Sequence, residues 1–162
     1  MPKQQSIGFE YTEYLLEELG SEELRLIEAA KGALTHAYAP YSEFCVGAAV
    51  LLDNGQIVIG NNQENAAYPS GLCAERVALF HAGSNYPNEK ILKLAVAARP
   101  KSADKLVQPG PCGGCRQVML EYRSKQDAPI ELLLICPNDK VLKMEVQDLL
   151  PLAFDKYALK KH

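Results

Sequence analysis

FCVGAAVLLDNGQIVIG, residues 44–60, is the stretch that decides the fold. Phe44 to Leu52 is nearly continuous apolar residues, the pattern of a strand buried on both faces. Asp53-Asn54-Gly55 follows. Asn-Gly tolerates positive φ at both central positions, so a tight hairpin is expected. Gln56 to Gly60 returns as the partner strand, with Ile57 and Ile59 alternating.

Upstream, Ser21 can cap a helix in which Leu24, Ile27, Ala30, Leu34 and Ala37 recur at helical spacing. A shorter helical segment is expected over Tyr11 to Leu19, broken at Gly20, and Pro40 ends the helical pattern. Downstream, Asn61 to Leu72 reads as a polar loop and a helix from near Cys73 to about Ala82. Ile91 to Ala98 reads as a strand, and Arg99 to Pro111 as a Pro/Gly-bearing loop. A helix is expected from near Cys112 to about Arg123, and strands over Ile130 to Cys136 and Val141 to Val146. A short helix, Gln147 to Leu150, precedes Pro151, and Lys160-Lys161-His162 reads as a solvated tail. The order α-β-β-α-β-α-β-β-α implies a three-layer α/β/α fold around a mixed five-stranded sheet. Residues 1–162 read as a single domain, with 1–20 as an N-terminal extension and 155–162 as a C-terminal tail. Ligands in open α/β sheets bind where strand ends and helix starts meet, which is where Cys73 and Cys112 fall.

The 162 residues are 48% hydrophobic and 23% charged, ordinary for a globular chain. Net charge is −3 and the pI about 5.6, against a nucleic-acid polymer as partner. The apolar run Val46 to Leu52 is far short of the ~20 residues a membrane helix needs. Met1 to Glu10 has no apolar targeting core. Five cysteines, at 45, 73, 112, 115 and 136, make an odd count that argues against a disulfide framework. A cytoplasmic, reducing setting without a membrane is therefore expected.

Two local patterns carry chemistry: Cys73-Ala74-Glu75 and Pro111-Cys112-Gly113-Gly114-Cys115. Cys112 and Cys115 fall on one side of a helix's first turn, and a third sulfur from another element completes three corners of a tetrahedron. Three protein ligands with a free corner is the catalytic form of a zinc site; structural sites have four. His36, His81 and His162 form no ligand-type pair, and Cys45 and Cys136 lie in apolar strand runs that suit plain core. Two residues in mid-helix point about 200° apart. Glu75 can therefore share a site with Cys73 only if Cys73 stands at the helix start and the site lies beyond that end. Three thiolates and a divalent ion sum to −1, which weakens Lewis acidity. Arg76 is the candidate to draw charge from the sulfurs. Cys-Gly-Gly-Cys alone would equally suit a redox pair or a structural zinc module.

With Pro111, Arg116-Gln117 and the upstream Cys-x-Glu added, the pattern matches the zinc-deaminase signature. The chain resembles the small, free-nucleoside cytidine deaminases of the three-cysteine type. The resemblance runs through APYSEFCVGAA (39–49), NQENAAYPSGLCAER (62–76), PCGGCRQ (111–117) and LLPLAF (149–154). It implies a cytidine-deaminase-like fold and one Zn²⁺ per subunit on Cys73, Cys112 and Cys115. Glu75 would act as the proton shuttle in hydrolysing cytidine and 2′-deoxycytidine to uridine and 2′-deoxyuridine with release of ammonia, the chemistry of pyrimidine salvage. It further implies that Asn62 and Glu64 bind the ribose hydroxyls, that Phe44 packs on the base and that the Ala74 backbone contacts the base edge. Ala66, Tyr68 and Phe154 would complete a neighbouring subunit's site in a homotetramer with shared active sites. The alternative is a related zinc deaminase acting on blasticidin S, dCMP or an adenine in tRNA. The acidic balance opposes a polymer substrate, and Asn62-Gln63-Glu64-Asn65 favours a free nucleoside.

Overall fold

The structure is a computed structural model that describes residues 2–159. Its strands are β1 (Thr12–Leu15), β2 (Phe44–Leu52), β3 (Ile57–Asn61), β4 (Ile91–Pro100), β5 (Glu131–Ile135) and β6 (Lys140–Glu145). Its α-helices are α1 (Ser21–Ala33), α2 (Ala74–Asn85) and α3 (Gly113–Gln126). One mixed sheet runs in the order β1-β6-β5-β4-β2-β3. Among the described strand pairs, β4–β5 alone is parallel, and α3 makes that crossover.

The central strands alternate between two cores. Ala48, Val50, Leu52, Leu94, Val96, Leu132 and Leu134 face α2 and α3. Cys45, Ala49, Leu51, Ala95, Ala97, Leu133 and Ile135 face α1. With both faces covered, the strands must be apolar throughout, which is why residues 44–52 read as an unbroken apolar run. Two close approaches need glycine. A Cβ on Gly47 would enter the α1 backbone at Ala30, and one on Gly60 would enter the α2 backbone at Ala74 and Ala78. Gly60 therefore lets the start of α2 lie directly on β3.

The three-layer α/β/α reading holds, with one strand more than expected. Tyr11 to Leu19 is not helical as a unit. Thr12–Leu15 pairs antiparallel with β6, and Leu16–Glu18 forms a single 3-10 turn. Glu13, Leu15, Glu17 and Glu18 favour helix intrinsically, but an open β6 edge offers a ladder of backbone partners, and tertiary pairing overrides a weak propensity. Lys140 pairs with Glu13 at 2.7 Å and Lys143 lies over the Tyr14 ring, which fastens the strand. The hairpin also differs. Only Gly55 has positive φ, +81°, and Leu52 bonds Gln56, so the loop has three residues with glycine in the left-handed position. Ser21 is the first helical residue of α1, not its cap; Gly20 stands at the cap, its N–H donating to Glu23. Val146–Leu149 is a 3-10 turn where a short helix was expected. In the expected tail, Lys156–Leu159 forms a 3-10 turn and Lys156 donates to the Ser124 carbonyl; Lys160 to His162 lie outside the described residues. Among the described residues no helix is long and apolar enough to cross a membrane.

A charge cluster ties α1, β4, β5 and β6 together. Glu23 accepts from Lys143 at 2.6 Å and Lys93 at 2.9 Å, while Glu131 lies 3.3 and 3.5 Å from the same two ammonium groups. Burial alone would raise the Glu23 carboxyl. The two lysines and the Gly20 amide outweigh it and hold the group at about 2. A carboxyl depressed on folding stabilises the fold above its unfolded value near 4.5, and that contribution disappears as pH falls through about 2. Glu23→Gln should therefore cost about 2–3 kcal/mol at pH 7, leaving two half-buried ammonium groups short of a counter-charge. Urea titrations of both proteins at pH 7 and near pH 2 check this. The gap between them should shrink at the acid end, and an unchanged gap contradicts it.

Candidate active site

The site lies where α2 and α3 begin, on the same face of the sheet. Cys73 is the N-cap of α2 and Cys112 the N-cap of α3, both with extended backbone, while Cys115 sits one turn into α3. This is the arrangement Glu75 requires: the site is beyond the helix start, so Cys73 and Glu75 can address it together. The Cys73 and Cys112 sulfurs are 3.8 Å apart, those of Cys112 and Cys115 3.4 Å, and all three lie within 4.8 Å of one another. Three sulfurs at about 2.3 Å from one zinc ion in a tetrahedron stand about 3.8 Å apart. The trio fits that ion. All five cysteines are free thiols, and the closest pair is too far apart for an S–S bond near 2.05 Å.

Electrostatics at the trio are uneven. The Cys115 thiol, followed by Arg76 and Cys112, holds Cys73 down at about 5 against the opposing effect of burial. Cys115, which donates toward Cys73 and is itself buried, is pushed far up. Arg76 Nη2 lies 3.8 Å from the Cys73 sulfur and 3.5 Å from the Gly71 carbonyl, where it can draw charge from the thiolate. Glu75 is 4% exposed. Burial pushes its carboxyl above the ordinary carboxylate range and the neighbouring Cys73 sulfur adds to this; its own backbone amide and the Cys115 thiol hold it back.

A cavity of about 700 Å³ opens over these groups. Cys73, Glu75, Arg76 and Cys112 form its floor, while Phe44, Asn62, Glu64 and Tyr68 line it from β2 and the loop after β3. That volume accommodates a small ligand. Asn62 is engaged with the backbone: its Oδ1 accepts from Val46 N–H at 2.8 Å and its Nδ2 donates to the Phe44 carbonyl at 2.9 Å. It thereby fixes the start of β2 and the rim that carries Phe44. Glu64 accepts from the Tyr41 and Ser42 amides and the Ser42 hydroxyl, which together hold its carboxyl below the ordinary range.

Of the expected site residues, Ala74 is buried as the first residue of α2, where its N–H has no partner within the helix. Ala66 and Phe154 do not line this chain's own cavity. Phe154 is 61% exposed and Tyr68 76%. Gln117 fixes the Phe154 carbonyl at 2.8 Å. His36 and His81 are exposed and outside the cavity, whereas Cys45 and Cys136 are buried in strand surroundings. Sequence reasoning gave no role to Ser42, nor to the far wall of Val96, Ala98, Gln108, Pro109 and Gly110. The wall forms because Val107 bridges back to Ala98, a long-range pairing no local pattern announces.

Residues 21–127 match the family described as the cytidine and deoxycytidylate deaminase zinc-binding region. A cytidine deaminase of Halalkalibacterium halodurans is 40% identical over 131 residues, covering 80% of this chain and 91% of that protein. One from Mycobacterium tuberculosis is 41% identical over 125 residues, covering 77% and 84%. A blasticidin-S deaminase of Bacillus cereus is 29% identical over 142 residues, covering 85% of this chain and 96% of that one. Among solved structures, the cytidine deaminase of Burkholderia pseudomallei superposes with a TM-score of 0.68 at 40% identity, covering 81% of this chain and 98% of that one. Three sulfurs spaced for zinc, a buried carboxyl beside them and a family match that spans both helix starts lead to one conclusion: the chain belongs to the cytidine and deoxycytidylate deaminase zinc-binding family.

Proposed function

We propose that this chain is a zinc-dependent hydrolase that converts cytidine and 2′-deoxycytidine to uridine and 2′-deoxyuridine, releasing ammonia. The observation that carries the reading is the buried Glu75 carboxyl at the Cys73, Cys112 and Cys115 cluster, with Glu75, Cys73 and Cys112 lining a nucleoside-sized cavity. Family membership and relatives at 40% identity support it. The blasticidin alternative is less favoured, since that relative stands at 29%.

Zinc held by Cys73, Cys112 and Cys115 would supply the Lewis acidity that makes a water nucleophilic. Glu75 takes a proton from that water and delivers it to N3 of the pyrimidine, as the water oxygen bonds to C4. The same carboxylate then carries the second proton to the exocyclic amine, the C4–N4 bond breaks, and ammonia departs. Burial holds the Glu75 carboxyl above the ordinary carboxylate range, so it keeps an accepted proton more readily than an exposed carboxylate and can pass it on. Arg76 offsets part of the negative charge that three thiolates bring. Glu64 and Asn62 are assigned to the sugar, Phe44 to the base, and the Ala74 N–H to the base edge.

The same proposal makes the enzyme a homotetramer. Ala66 and Phe154 do not line their own cavity, and the exposed rings of Phe154 and of Tyr68, at the cavity's edge, suit a neighbour's site better than water. Residues 1–162 are taken as one catalytic domain with 1–20 as an extension and 155–162 as a tail. The cytoplasm, where thiols stay reduced, is the compartment that suits three closely spaced cysteines.

Glu75→Gln should lower kcat by about 10²–10⁴-fold, with zinc content and melting temperature near wild type. Ammonia release from cytidine and metal analysis of the same samples check this. A near-normal rate contradicts the shuttle, and loss of zinc without a specific rate defect favours a structural site. Light scattering should give four chains per particle, and Phe154→Ala should raise KM; a fully active monomer removes Ala66, Tyr68 and Phe154 from the site.

A further inference from the structure

We propose that Ser42 is a positioning residue that aims one oxygen of Glu64 at a sugar hydroxyl of the substrate. The inference rests on the reading that Glu64 addresses the sugar, and it assigns the residue that makes Glu64 competent to do so.

Glu64 Oε2 accepts from the Tyr41 N–H at 2.9 Å and the Ser42 N–H at 3.2 Å. Oε1 accepts from the Ser42 hydroxyl at 2.5 Å. An ionised carboxylate has about four acceptor sites. Two on Oε2 and one on Oε1 are filled from the 41–42 segment. The remaining site belongs to Oε1, beside the cavity that both Ser42 and Glu64 line.

The Ser42 proton cannot serve two partners. Its oxygen accepts from the Phe44 N–H at 3.1 Å, and Glu64 only accepts, so the one hydroxyl proton points at Glu64. Ser42 thus couples the carboxylate that meets the sugar to the backbone that carries Phe44. Between them Glu43 adopts a left-handed conformation, φ +52°, which folds the segment back so that both contacts form. Without the hydroxyl, Glu64 Oε1 would be free to turn, and its acceptor site would no longer have a fixed direction.

The test uses the full-length, zinc-loaded enzyme with cytidine and with 2′,3′-dideoxycytidine, which lacks both hydroxyls Glu64 could meet. Ser42→Ala should raise KM for cytidine about tenfold with kcat within about twofold, and change kcat/KM for the dideoxynucleoside by less than about twofold. Ser42→Thr keeps the donor at an exposed position and should restore KM. An equal loss on both substrates, or no rescue by threonine, means the segment's packing was disturbed and overturns the proposal. Glu64→Ala, measured alongside, separates the two layers. Selective loss on cytidine with Glu64→Ala but not with Ser42→Ala overturns the role of Ser42 alone. No selective loss with either overturns the sugar reading of Glu64 and the proposal with it.

Discussion

The molecule depends on two helices beginning side by side. α2 and α3 pack on one face of the sheet, and each opens with a cysteine at its N-cap. Helix starts present free N–H groups and the positive end of the peptide dipoles, so they favour thiolates and a carboxylate in a space that would otherwise repel so much negative charge. The sheet makes the convergence possible. Gly60 removes the side chain that would hold α2 off β3, and Gly83 leaves room for Tyr122 of α3. An added Cβ at Gly60 would push the backbone at Ala74, one residue from both Cys73 and Glu75. Packing in the core and chemistry at the rim are thus the same constraint.

The site divides into parts of different burial and purpose. Cys115 and Glu75 are buried in the first turns of α3 and α2, and their positions follow from the packing of those helices on the sheet. Cys112, Phe44 and Glu64 sit nearer solvent, on a helix cap, a strand end and a loop. That outer ring is held by side chains bonded to backbone: Asn62 stitches Phe44 and Val46, Glu64 stitches Tyr41 and Ser42, and Arg116 binds the Pro111 and Leu149 carbonyls. A pre-organised rim lowers the ordering cost when a small ligand enters.

Much of this was legible in the sequence, for stated reasons. The apolar run 44–52 announced a two-sided central strand, and the cysteine spacing announced three sulfurs from two elements. The opposed directions of Cys73 and Glu75 in mid-helix forced the N-cap position that the structure shows. What stayed hidden depended on partners distant in the chain. Thr12–Leu15 carries helix-favouring residues and becomes a strand only because β6 has an open edge. The wall at Val107 to Gly110 needs a bridge to Ala98. Asn62 reads as a ligand-facing amide; that one lone pair of its Oδ1 and one proton of its Nδ2 also hold the β2 backbone depends on Val46 and Phe44, well upstream in the chain. Ser42 reads as a turn residue until its distance to Glu64 is seen.

The coordination around the metal tests the account most directly. Zinc K-edge X-ray absorption on the purified, active protein should show three sulfur scatterers at about 2.3 Å and one lighter scatterer near 2.0 Å. Four sulfurs, or a shell with no lighter atom, would mean that the protein closes the site and that Glu75 has no open position to serve.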